Sequence, residues 1–99
     1  MNTTSPYTSS QNQLLLKEIL SENDLVVVIL EHIDYLLKMD GKDSPYGYAA
    51  YSISQLKTPL SSMKGELQKL KGVGRITESI ILEILETGDS SYYRKFLTG

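Results

Sequence analysis

Three basic side chains, Lys69, Lys71 and Arg75, surround the tripeptide Gly72-Val73-Gly74. Two glycines one residue apart let a backbone turn sharply, because glycine takes positive φ without a Cβ clash. They also leave no side chain in the way of a close approach. The run Leu67-Gln68-Lys69-Leu70-Lys71-Gly72-Val73-Gly74-Arg75 therefore predicts a hairpin over 70–76, ahead of an isoleucine-rich helix. Backbone N–H groups of the hairpin and the helix start would form a concavity suited to a phosphate oxygen. Lys69, Lys71 and Arg75 would neutralise neighbouring phosphates, and Thr77 would add a hydroxyl. Contacts of this kind hold nucleic acid without reading its sequence. The plainer alternative is a turn that only joins two helices, flanked by ordinary solvated cations.

Other residue types narrow the chemistry. With no Cys there is no disulfide framework, thiolate metal site or thiol nucleophile. A single histidine, His32, excludes a site built from several imidazoles. It adjoins Ile33 on an amphipathic stretch, and a surface or core-edge role suits it better than catalysis. Asp40-Gly41-Lys42-Asp43-Ser44 lacks the alternating oxygen ligands and closing Glu of a calcium loop, so no metal is expected. Tyr46, Tyr48, Tyr51, Tyr92 and Tyr93 could stack on bases, although tyrosine also suits half-buried positions at a core boundary.

Charge is unevenly placed. Residues 1–54 hold three basic and seven acidic side chains, whereas residues 55–99 hold seven basic and five acidic ones. An anionic partner therefore belongs to the second half. The net charge of −2 argues against a generally basic nucleic-acid protein. At 99 residues, 40% hydrophobic and 22% charged, the chain has the composition of one small globular domain. Met1 is followed by Asn, Thr and Thr, with no basic stretch and apolar core of a secretory signal. The longest apolar run, Leu25 to Leu30, is too short to span a bilayer. A soluble, cytoplasmic location is expected, or the nucleus in a eukaryote, with no membrane partner.

The elements that must position the hairpin are all helical by pattern. Residues 1–10 read as a flexible tail, and 11–99 as a single helical domain. Leu14, Leu15, Leu16, Ile19 and Leu20 suit a short first helix. Asn23 or Asp24 would cap a long helix from Leu25 to Met39, although Val26-Val27-Val28 is β-branched and could signal a strand. Asp40 to Pro45 is a turn by composition. Helices follow over Tyr46–Leu56, Ser61–Leu70 and Ile76–Leu85. Gly88 would close the last of these in the left-handed conformation. Asp89 or Ser90 would cap a final helix carrying Tyr92, Tyr93, Phe96 and Leu97. The fold class is all-α, a compact bundle of five to six short helices.

The hairpin stretch resembles the helix-hairpin-helix motif. The wider arrangement over 23–97 resembles the amino-terminal domain of family X DNA polymerases, the DNA polymerase beta-like group. The matching parts are the long helix from Asp24, the Gly41–Tyr46 turn, Ala49-Ala50-Tyr51, and Glu66-Leu67-x-x-Leu70-x-Gly72-Val73-Gly74. Glu83-Ile84-Leu85-Glu86-Thr87-Gly88 and the closing aromatic helix complete the likeness. The resemblance implies DNA as partner and a setting in DNA repair. It also implies a monovalent cation in some members, held on hairpin carbonyls that here belong to Leu70 and Val73.

The departures matter as much. Lyase members of that family use a Schiff-base lysine eight residues after the first hairpin glycine, a position that is Ile80 here. A phosphate-binding lysine, four residues after that glycine, is replaced by Ile76. An isoleucine cannot form an imine. Glu78 stands where a small residue is usual, and Lys71 where Pro is common. No polymerase palm domain is expected within these 99 residues. The expectation is a non-enzymatic DNA-binding module that contacts the phosphate backbone through Lys69, Lys71, Gly72, Val73, Gly74, Arg75 and Thr77. The alternative is a protein-interaction or dimerisation module. In it Ile76 and Ile80, continued by Ile84, present an apolar stripe covered by the Leu14–Leu20 helix or by a second chain.

Overall fold

The computed structural model describes residues 21–98. The tail over 1–10 and the helix expected over 11–20 lie outside the described residues. Those described form four α-helices and one 3₁₀ segment, with no strand among them: α1 (Glu22–Met39), α2 (Tyr46–Ser54), the 3₁₀ segment (Leu60–Lys69), α3 (Arg75–Thr87) and α4 (Ser91–Thr98). No helix among them is long and apolar enough to cross a membrane.

The Val26-Val27-Val28 run is helical, because burial outweighs β-propensity here. Val26, Ile29, Leu30, Ile33 and Leu37 recur at helical spacing and are all buried. Ser21, rather than Asn23 or Asp24, is the N-cap of α1; its side chain accepts the Asp24 N–H at 3.1 Å. Asn23 is instead a tie across the fold. Its Nδ2 donates to the Thr58 carbonyl and its Oδ1 accepts the Leu60 N–H, both at 2.8 Å. The Glu22 carboxylate takes the Ser61 N–H at 3.1 Å and its hydroxyl at 2.7 Å. Two residues of α1 thus cap the start of the 3₁₀ segment from outside. At its other end α1 closes on Gly41, at φ 73°, with Gly41 N–H to Lys38 O and Lys42 N–H to Leu37 O.

The pattern predicts an ordinary helix over Ser61–Leu70, but the segment is 3₁₀ and kinked at Met63 and Glu66. Only Leu60 and Leu67 are buried in it. Two anchors seven residues apart, with Gly65 between them, do not supply the continuous apolar face that sustains an α-helix.

The core is one cluster. Val26, Leu30 and Ile33 of α1 meet Ala49, Ala50 and Ile53 of α2, Leu60 and Leu67 of the 3₁₀ segment, Val73, and Ile81 and Ile84 of α3. The fully buried alanines let α2 lie close to its neighbours. Helix α3 ends as predicted: Gly88 sits at φ 79° and donates to Ile84 O at 2.7 Å. Ser90 begins α4, its Oγ accepting the Tyr93 N–H at 3.2 Å. The Glu83 carboxylate accepts the Ser91 N–H and hydroxyl at 3.0 and 3.1 Å, tying α4 to α3.

Candidate functional site

The hairpin is a β-turn from Leu70 to Val73, closed by the Val73 N–H donating to Leu70 O at 3.1 Å. Gly72 occupies its third position at φ 85°, which matches the glycine-requiring corner of a type II turn. A second constraint acts on the same residue. A Cβ on Gly72 would lie 3.0 Å from the Ala49 nitrogen and 3.2 Å from both the Tyr48 carbonyl carbon and its Cγ. Ser52 adds a hydrogen bond from its hydroxyl to Lys71 O at 2.7 Å. The turn is therefore held from behind by one face of α2, and Val73 pins it to the core.

Gly74 differs. It is the N-cap of α3 at φ −98° and ψ −167°, extended backbone open to any residue. No atom lies within 4 Å of where its Cβ would be. Neither conformation nor packing asks for glycine there. The consequence is an uncovered helix start, since no side chain caps α3. The Glu78 N–H makes the bond to Gly74 O at 2.9 Å. The N–H groups of Arg75, Ile76 and Thr77 precede it and lie beyond the reach of the i→i−4 ladder. Such a terminus carries a partial positive charge.

The three cations are not equivalent. Lys69 Nζ pairs with Glu66 at 2.8 Å. The hydrogen bond and charge attraction raise the Lys69 ammonium above its ordinary range and lower the Glu66 carboxyl. Lys71 and Arg75 are exposed and have no ion pair among the described residues. Glu78, half-buried, is drawn toward the 3₁₀ segment by a hydrogen bond from Gln68 Nε2 at 2.9 Å.

A model of the helix-hairpin-helix domain matches residues 21–90. The chain belongs to the helix-hairpin-helix domain family. No curated protein and no solved structure matches it. The match runs from the N-cap of α1 to the N-cap of α4, so the helix-hairpin-helix domain includes everything that supports the turn.

Within this helix-hairpin-helix domain, Lys71, Gly72, Gly74 and Arg75 come together on one exposed edge, with the Lys69–Glu66 pair beside them. Three expectations need correction. The Val73 N–H is used inside the turn, so it does not face a ligand. Thr77 is only 3% exposed, because it shares the inward face of α3 with Ile80, Ile81 and Ile84. Its hydroxyl is not available to an outside group. The apolar stripe is also absent: Ile80 and Ile84 are buried, at 5% and 2% exposure, and Ile76 alone stands out at 70%. Ile80 and Ile84 turn inward with Ile81, into the cluster shared with α1, α2 and the 3₁₀ segment. Ile76 lies outside that cluster, on a shallow groove lined also by Ser79, Ser91 and Tyr92.

The tyrosines divide. Tyr46 is buried near Tyr92; burial first, and then Tyr92, pushes its hydroxyl up to about 12. Tyr92 meets Phe96 edge-on, and Tyr93 Oη is hydrogen-bonded to His32 Nδ1. Tyr48 and Tyr51 remain exposed. Among the described residues no group of three or more His, Asp or Glu side chains is placed to hold a metal ion. The Leu70 carbonyl, one of the two named for a monovalent cation, accepts the Val73 N–H. The support that Tyr48, Ala49 and Ser52 give the turn does not follow from the hairpin's own residues. The adjacent small residues Ala49-Ala50 are its only sequence signal.

Proposed function

We propose that this domain is a non-enzymatic DNA-binding module that captures the sugar-phosphate backbone at the hairpin, independent of base sequence. The observation that carries this reading is Gly74, a glycine with no internal reason to be one, at the open start of α3. A phosphate oxygen would take the N–H groups of the first helical turn. Lys71 and Arg75 would each neutralise a phosphate, and Lys69 would join only by leaving Glu66. The family X likeness, with isoleucine at positions 76 and 80 where lyase members carry lysine, supports a binding role without an imine-forming amine.

Fluorescence anisotropy of the full chain with a labelled DNA duplex across a salt series tests the proposal. The expected result is weak binding whose affinity falls with salt at a log–log slope of about −2, the value for two neutralised phosphates. Absence of binding at low salt overturns it. The exposed Ile76 favours a second reading, in which this end of α3 meets another protein; that reading gains if DNA binding is absent.

A further inference from the structure

Helix α1 carries two apolar faces. Val26, Ile29, Leu30, Ile33 and Leu37 fill the core. Leu25, Val28, His32, Tyr35 and Met39 recur in steps of three and four along a different line of the same helix. That spacing is the seam along which two α-helices pair. Val28, Tyr35 and Met39 are 51%, 58% and 69% exposed, and His32 stands exposed between them. The His32 ring lies 6.3 Å from the Tyr35 ring, and its Nδ1 is hydrogen-bonded to Tyr93 Oη of α4. Leu97, one turn beyond Tyr93, is also exposed. A contiguous exposed patch of this kind on a small domain marks an interaction surface. Charge flanks it on one side. Glu31 and Lys38 are exposed and seven residues apart, so they share one edge of the seam. Lys38 pairs with Asp34, whereas Glu31 has no ion pair among the described residues.

We infer that this face binds a second copy of the chain, with α1 against α1 in the antiparallel sense. A two-fold axis makes every contact occur twice, so the face must complement itself. It does so in one register. With His32 of one copy against Tyr35 of the second copy, Val28 meets Met39, and Glu31 comes beside Lys38. Apolar groups face apolar groups and acid faces base in both halves. A parallel pair would instead set Glu31 toward Leu36, which offers it no charge. The overlap from Val28 to Met39 is about 17 Å of helix, a small interface that suits a reversible dimer. Dimerisation through α1 is independent of phosphate capture, because none of the residues placed at the hairpin belongs to this face.

Sedimentation equilibrium of the full chain up to about 500 µM tests this. The parent should pass from the monomer mass of 11.1 kDa toward twice that value as concentration rises. Tyr35→Glu should weaken the dimer at least about tenfold. Glu31→Lys and Lys38→Glu should each weaken it, since each sets like charges against each other. An equal mixture of those two variants restores both charge pairs and should dimerise at least about threefold more tightly than either alone. Urea denaturation at low concentration confirms that each variant folds. Tyr35→Glu leaves the Lys38–Asp34 pair intact, so it tests the face even if Lys38→Glu loses stability. A parent that stays monomeric throughout overturns the inference. If Tyr35→Glu also unfolds that monomer more easily, the face belongs instead to the chain's own run Leu14–Leu20. A dimer indifferent to Tyr35→Glu and to the mixture overturns it equally, by placing the contact elsewhere.

Discussion

The Cβ that Gly72 lacks would sit 3.0 Å from the backbone nitrogen of Ala49. The turn and α2 are thus in contact through their main chains, and Gly72 is fixed by this approach as well as by its φ of 85°. Gly72→Ala should cost about 1–3 kcal/mol of stability, from left-handed strain and the displaced contact. Chemical denaturation of the full chain measures this directly. Any loss of DNA affinity in this variant should follow its loss of folded protein.

Charge should act at Lys71 and Arg75 more than at Lys69. Lys71→Ala and Arg75→Ala should each weaken DNA binding and flatten the salt slope by about 1. Lys69→Ala should change little, because Glu66 already holds that ammonium. Glu66→Gln should release it and raise affinity about twofold at low salt. Anisotropy titrations at several salt concentrations check all four.

Positions 76 and 80 should respond in opposite ways to an added amine. Ile76 is exposed on the first turn of α3, and Ile76→Lys should strengthen DNA binding several-fold and steepen the slope by about 1. Ile80 belongs to the core, and Ile80→Lys should destabilise the fold by about 2–4 kcal/mol. Thermal melts alongside the titrations separate the two effects.

A carboxylate joins α1 to α2. Asp34 pairs with Lys38 at 3.0 Å, and its Oδ2 lies 3.0 Å from where a Gly47 Cβ would be, so Gly47 makes room for it. Burial raises the Asp34 carboxyl, but Ser44, Lys38 and the Gly47 N–H outweigh it and hold the group below its ordinary range. A depressed folded-state value contributes stability that is present above the unfolded value near 4 and is lost as pH falls through the folded one. Asp34→Asn should therefore lower stability at neutral pH by about 1 kcal/mol and flatten the decline below about pH 4. Urea denaturation from pH 2.5 to 7 checks this.

Much of the helical order was legible because α1 and α3 bury residues at strict helical spacing, and because Gly41 and Gly88 mark their ends. The 3₁₀ segment was not, since its backbone depends on caps lent by Glu22 and Asn23 from nearly forty residues away. The hairpin and its exposed cations could be read from the Gly-Val-Gly spacing. The burial of Thr77 and Ile80 could not, because which face of α3 turns into the core is decided by its packing against the other elements. Sequence also treats Gly72 and Gly74 alike. Only the neighbours of each separate the glycine that the fold requires from the one that it does not.

Gly74 accordingly offers the most direct test. Gly74→Asp places a preferred N-cap on α3 and a negative charge at the proposed phosphate position. Stability should hold or rise by about 0.5 kcal/mol, while DNA affinity should fall at least about tenfold. Melting temperature and anisotropy measured on the same sample give both readings. A variant as stable as the parent that binds DNA equally well would contradict capture of phosphate at the start of α3.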